Sequence, residues 1–239
     1  MKNLFLFIII IFCFSSFSQN KISKVIYKVG RYNSNYQNNP NIKIETTPFD
    51  VELNLLEFNL YYNNDISLFS MVNSLSKNND FEAKSARIMA GGLCYKNSIT
   101  KEKIEQIESF DIIYNVIKPY EEYIWEITSE KKIINGYLCY KAKTRKVMYN
   151  ELRNSESIFT PEAWFCPEIP SKFGPKGLDG LPGLVIEATF NGRIYYYATK
   201  IEFDCKENIN LVKPDKFNYV TEEELGKINL ENFRKINGN

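Results

Sequence analysis

The chain has no histidine among its 239 residues. That removes the side chain most used for proton transfer near neutral pH, and with it His-based triads and His-ligated zinc. No Gly-x-Ser-x-Gly elbow and no Gly-Lys-Ser/Thr phosphate loop occurs either, so neither the usual serine-hydrolase turn nor a nucleotide P-loop is encoded. An excess of one charge is also missing: 30 Lys and Arg stand against 29 Asp and Glu, which leaves no basic surface for nucleic acid. The cysteines are few and far apart, without the close spacing of a zinc or thioredoxin-like motif. No cofactor and no metal is expected from these residues.

Long apolar runs are absent too, with one exception at the start. Leu4 to Phe14 is uncharged and apolar, shorter than the roughly 20 residues needed to cross a bilayer. With Lys2 before it, and Ser16 and Ser18 after it, the run reads as a signal peptide over residues 1–18 cleaved before Gln19. Bulky Phe12 and Phe14 flank Cys13 and argue against lipidation of that thiol. The expected product is exported, to the periplasm, the outer-membrane periphery or the medium, and has no transmembrane span once cleaved. Its remaining cysteines, Cys94, Cys139, Cys166 and Cys205, permit two disulfides with three possible pairings.

Aromatic residues are plentiful: 16 Tyr and 17 Phe, in short apolar runs separated by Asn and Gly, point to a mainly β protein. Residues 19–239 read as one β-rich domain. A first strand is expected over Lys24–Tyr32 and a loop over Asn33–Asn41. Val51 to Tyr61 alternates with a phase shift near Leu56, as a bulged strand or two strands meeting at a bend would. Ala86–Tyr95 reads as a strand broken at Gly91-Gly92, and Ile99–Phe110 fits either a helix capped by Thr100 or a strand. Asn135-Gly136 marks a tight turn. Leu184–Phe203 should form a hairpin with a type I′ turn at Asn191-Gly192. Thr221 and Glu224 make a capping box, with Val220 and Leu225 as a staple, for a C-terminal helix packed on the sheet.

One segment carries more than periodicity. Gly180-Leu181-Pro182-Gly183-Leu184-Val185 follows Trp125-Glu126-Ile127, Gly136-Tyr137-Leu138-Cys139-Tyr140-Lys141-Ala142 and Ala163-Trp164-Phe165-Cys166-Pro167-Glu168-Ile169-Pro170. In that order these pieces resemble the exported Bacteroidota family named for its Gly-Leu-Pro-Gly-Leu-Ile signature. Cys166 stands where the family's segment has Thr or Ser, and Val185 replaces the final Ile. The resemblance implies an envelope or secreted location and a sheet-rich fold, and brings no active-site residue with it.

The signature itself reads as a structural turn built from Gly180, Leu181, Pro182, Gly183 and Leu184. Pro182 would sit at its second position, and Gly183 at positive φ at its third. The expected fold is a curved antiparallel sheet or half-open barrel, like a lipoprotein carrier or lipocalin, with a packed C-terminal helix. Trp164 and Phe165, with Tyr195 and Tyr197, are the candidate ligand-binding surface, suited to a hydrophobic or peptide-like ligand. Asp179, Glu168 and Glu187 could pair only if the fold brings them together. The leading expectation is a non-catalytic envelope protein that binds or carries such a ligand. The alternative is an accessory protein docked on an outer-membrane transporter or secretion component.

Overall fold

The computed structural model describes residues 21–31, 47–72 and 80–238. The expected signal peptide and the Asn33–Asn41 loop lie outside the described residues. Among the described residues there are fourteen strands: β1 (Ser23–Arg31), β2 (Glu57–Tyr62), β3 (Ile66–Met71), β4 (Cys94–Asn97), β5 (Glu102–Ser109), β6 (Ile112–Ile117) and β7 (Glu126–Ile134) in the first part. There follow β8 (Tyr137–Lys143), β9 (Lys146–Asn150), β10 (Ser155–Phe159), β11 (Glu162–Cys166), β12 (Leu184–Thr189), β13 (Ile194–Glu202) and β14 (Asn218–Thr221). Three α-helices among the described residues join them: α1 (Pro48–Leu55), α2 (Phe81–Ala90) and α3 (Glu222–Asn237).

Twelve strands make one sheet in the order β14-β6-β5-β4-β3-β2-β1-β13-β12-β11-β8-β7, and β9 with β10 forms a separate hairpin. Neighbours are antiparallel except β14 and β6, which run parallel. Since β14 and β7 do not pair, the sheet stays open and no barrel closes among the described residues. The fold is therefore mainly β, with a C-terminal helix. No helix among the described residues is long and apolar enough to cross a membrane.

Two expected strands are helices. Thr47 accepts from the Asp50 amide at 3.2 Å while Asp50 accepts from the Thr47 amide at 3.1 Å, and Pro48 opens the first turn. This capping box outweighs the alternation of Val51, Leu53 and Leu55, and the phase shift at Leu56 is the boundary between α1 and β2. In α2, Asp80 caps the Ala83 amide at 2.9 Å. Ala83, Ala86 and Ala90 fall at helical spacing and are buried, and Gly91, at φ 89°, ends the helix. The ambiguous Ile99–Phe110 stretch resolves as strand β5.

The core is aromatic in its centre. Tyr27 of β1, Phe58 of β2, Phe69 of β3 and Tyr196 of β13 are all buried, with Phe58 and Phe69 stacked at 4.9 Å between ring centroids. Their hydroxyls are not wasted: Tyr27 donates to the Val185 carbonyl and Tyr196 to the Ala90 carbonyl, tying β12 and the end of α2 to the same cluster. At the sheet's other end α3 packs Leu225 on Tyr114 and Val116, with Val220 and Ile228 alongside. Its expected capping box forms, Glu224 donating to Thr221 at 3.1 Å and accepting at 2.7 Å.

The expected hairpin of β12 and β13 forms, with Glu187 opposite Tyr197 and Thr189 opposite Tyr195. Its turn differs, because four residues connect the strands rather than two. Only Gly192 has positive φ, and the Asn191 side chain accepts from the amides of Arg193 and Ile194 at 2.9 and 3.1 Å. The side chain, not a left-handed Asn backbone, closes this turn. Asn135-Gly136 is the two-residue turn, with φ 52° and 84°.

Candidate functional site

The signature lies in the connection that leaves β11 at Cys166 and enters β12 at Leu184. That connection is closed by its own backbone: Gly180 donates to Lys172 at 2.8 Å, Leu184 to Ile169 at 3.1 Å and Val185 to Phe173 at 3.1 Å. Leu181 and Leu184 are buried, and Leu181 packs with Leu178, Phe165 and Val185. Gly183 donates to the Leu181 carbonyl at 2.9 Å across Pro182, a γ-turn. This corrects the expected turn. Gly180 takes the positive φ, 91°, while Gly183 is needed because a Cβ there would stand 2.2 Å from the Cys166 carbonyl oxygen.

Just ahead of Gly180, Asp179 is buried among lysines. Lys96 of β4 and Lys103 of β5 face each other directly across the hairpin, both buried. Two like charges in that register repel. Asp179 resolves the conflict, reaching Lys96 at 2.6 Å with one oxygen and Lys103 at 3.3 Å with the other. Lys103 also donates to the Gly177 carbonyl at 2.7 Å and pairs with Glu122 at 3.0 Å. Trp125 donates its indole N–H to the Asp179 carbonyl at 2.7 Å, which fixes the loop from the other side.

The pairing continues as a seam. Glu122 meets Lys146 of β9 at 3.1 Å and Lys118 at 3.5 Å. Lys118 meets Glu105 at 3.6 Å and Glu222, at the start of α3, at 2.5 Å. Four ammonium groups and four carboxylates thus alternate from the signature to the C-terminal helix. Burial works to raise the Glu122 carboxyl, but Lys103, Lys118 and Lys146 overrule it and hold it at about 2. Burial lowers Lys96, and Asp179 offsets only part of that. In Lys103 and Lys118 the same burial is outweighed by their carboxylate neighbours, and both are raised.

Two clefts flank this seam, and Glu122 with Tyr123 lines both. The first has a volume of about 740 Å³ and is bounded by Lys96, Asp179, Tyr120, Phe173 and the signature's Gly180 and Pro182. Lys96 and Lys101 lie over the Tyr120 ring at 4.3 and 4.6 Å. The second, about 570 Å³, lies between the β9–β10 hairpin and α3, with Val147, Met148 and Leu225 on its walls.

The aromatic surface expected around Trp164 is divided by the pleat. Trp164, Glu187 and Tyr197 fall in one cross-strand row, with Lys141 beyond Trp164. Lys132 lies over the Trp164 ring at 4.3 Å and pairs with Glu187 at 2.9 Å. Tyr195 lies two residues from Tyr197 on β13, half-buried. Phe165 points the other way and is buried under the signature loop, so it belongs to the core rather than to a surface. Of the three acids, Asp179 is held by the seam, Glu187 by Lys132, and Glu168 is exposed.

Sequence reading missed the seam because buried lysines look like surface lysines in a sequence. The available signal was Lys96 and Lys103 on either side of a turn, with an Asp beside the signature glycine. The four cysteines are separate thiols, three buried and Cys205 half-buried. Glu202, Cys205 and Glu207 converge within 4.8 Å. Glu207, however, already accepts from Tyr61 at 2.5 Å and Lys24 at 2.6 Å, so this group is an ion-paired cluster.

No functionally curated protein matches the sequence. The fold is similar to that of PNGF-II in two crystal forms, with TM-scores of 0.54 and 0.53 at 18% identity, covering 89% and 87% of this chain. In both cases only 33% of the PNGF-II chain is covered, so this chain spans about a third of that protein's length. The Mycobacterium tuberculosis lipoprotein LppX aligns over 81% of this chain and 91% of its own at 8% identity, with a TM-score of 0.28. Residues 125–187, from Trp125 through the signature to Glu187, match the family described as "Protein of unknown function (Porph_ging)", and so carry the segment by which the GLPGLI proteins are recognised.

Proposed function

We propose that this is a non-catalytic envelope protein that binds a peptide-like ligand in the cleft beside the signature loop. The observation that carries the reading is the composition of that cleft. Its volume of about 740 Å³ suits a small ligand. Tyr120 and Phe173 offer apolar walls, while Lys96 and Asp179 present one donor and one acceptor group at the base. A short peptide has both kinds of surface, whereas a purely apolar ligand would strip water from the Lys96–Asp179 pair and offer it no hydrogen bond in exchange. The signature's role is then to hold Asp179 at the base and to set Gly180 and Pro182 in the cleft wall.

Native mass spectrometry of the exported protein, incubated with a tripeptide mixture, tests this. Bound peptide should be retained by the wild type and by Trp164→Ala, and lost from Tyr120→Ala. Loss from Trp164→Ala alone would move the site to the other surface. A docking role on an outer-membrane partner has one observation in its favour: Ile124, Ile127 and Ile133, in and beside edge strand β7, are exposed.

A further inference from the structure

We propose that Cys139 and Cys166 are oxidation partners that form a cross-strand disulfide. The ladder between β8 and β11 pairs Glu162 with Lys143, Ala163 with Ala142, Trp164 with Lys141 and Phe165 with Tyr140. The next rung places Cys166 opposite Cys139. Side chains follow this register up to the end, since the Tyr140 and Phe165 rings lie 6.2 Å apart. Both cysteines are fully buried in the same core cluster.

The type of rung matters as much as its position. Thr144 donates to the Pro161 carbonyl at 3.0 Å, which makes Thr144 and Pro161 a hydrogen-bonded pair of this ladder. Alternation then makes 142/163 and 140/165 hydrogen-bonded rungs, and 141/164 and 139/166 non-hydrogen-bonded ones. In a non-hydrogen-bonded antiparallel rung the Cα atoms approach to about 4.5 Å, which falls within the span a disulfide bridges. The remaining thiols have no such partner in register: Cys94 faces Glu105 and Phe69, and Cys205 lies beyond the end of β13.

Oxidation joins the two sulfurs and releases two protons and two electrons. A disulfide oxidant, such as glutathione disulfide, accepts the electrons and is cleaved to two thiols. In the packed state burial, and then the neighbouring Cys166, push the Cys139 thiol up to about 12, so little thiolate is present to start the exchange. The bond therefore forms as the strands meet, before the core closes over them. Once made, it staples the base of the segment that carries the β9–β10 hairpin, and so holds one wall of the second cleft.

The full chain, refolded from denaturant in a glutathione redox buffer, alkylated without reduction and digested, should yield one cross-linked peptide pair joining Cys139 to Cys166. Recovery of both as alkylated thiols overturns the proposal, as does linkage of either to Cys94 or Cys205. Adding reductant to the oxidised wild type should lower its thermal midpoint by roughly 5–10 °C. The Cys139→Ala/Cys166→Ala variant should show no such drop, and an equal drop in it would overturn the proposal. If that variant does not fold, the wild-type peptide map decides alone.

Discussion

The two surfaces richest in lysine, carboxylate and aromatic rings use the same parts to different effect. At the signature loop, Lys96, Lys103 and Asp179 are buried, and each charge depends on the others because little of any of them is open to water. Around Trp164, Lys132 and Glu187 pair at 2.9 Å but remain partly open to solvent. An ion pair in the first setting is expensive to break, and one in the second is screened and nearly dispensable. Chemical inventory alone does not distinguish them. Depth does.

The largest expected effect tests the buried side. Asp179→Asn leaves Lys96 and Lys103 facing each other without their shared counter-charge, and should cost about 3–5 kcal/mol in urea unfolding. A loss below about 1 kcal/mol would place this cluster in the same class as the Trp164 surface.

Acid titration sharpens the same point. Glu122 is held at about 2 against an ordinary value of 4.5, so its contribution is complete above pH 4.5 and is lost as pH falls towards 2. The urea midpoint should fall across that window by an amount equivalent to about 3 kcal/mol, and Glu122→Gln should flatten that part of the profile. Gly183→Ala comes next. Its new Cβ would force the signature loop off the Cys166 carbonyl, at a cost of roughly 1–3 kcal/mol in the same assay. The smallest effect belongs to the open surface: Lys132→Ala should change stability by less than about 1 kcal/mol in urea unfolding, and its stability should depend less on added salt than that of the wild type.

Local signals were legible where a few residues settle a conformation. Thr221 with Glu224, Asn135-Gly136 and the pairing of β12 with β13, though not its turn type, appear in the structure as the sequence implies, since each is decided within a few bonds. Pro48 and Asp50 also encode the start of α1, but there the alternation of Val51, Leu53 and Leu55 masks the cap. In α2 the buried stripe is alanine, too small to give an apolar period of its own.

The candidate site was legible only in part. The signature leucines were recognisable as core residues because they flank a turn, and both are buried, whereas Trp164, read as a ligand surface, is half-buried on β11. Asp179, Lys103 and Glu122 meet from distant parts of the chain, and no local rule connects them. Phe165 separated from Trp164 for the simplest reason: adjacent strand residues point to opposite faces.

The one parallel strand pair among the described residues, β14 with β6, has a consequence at the far end of the sheet. Without β14, the backbone of β6 would present a row of free donors and acceptors, the surface on which separate molecules join into aggregates. Four residues, Asn218–Thr221, act there as a guard rail, and a change that frees them from β6 would uncover that row.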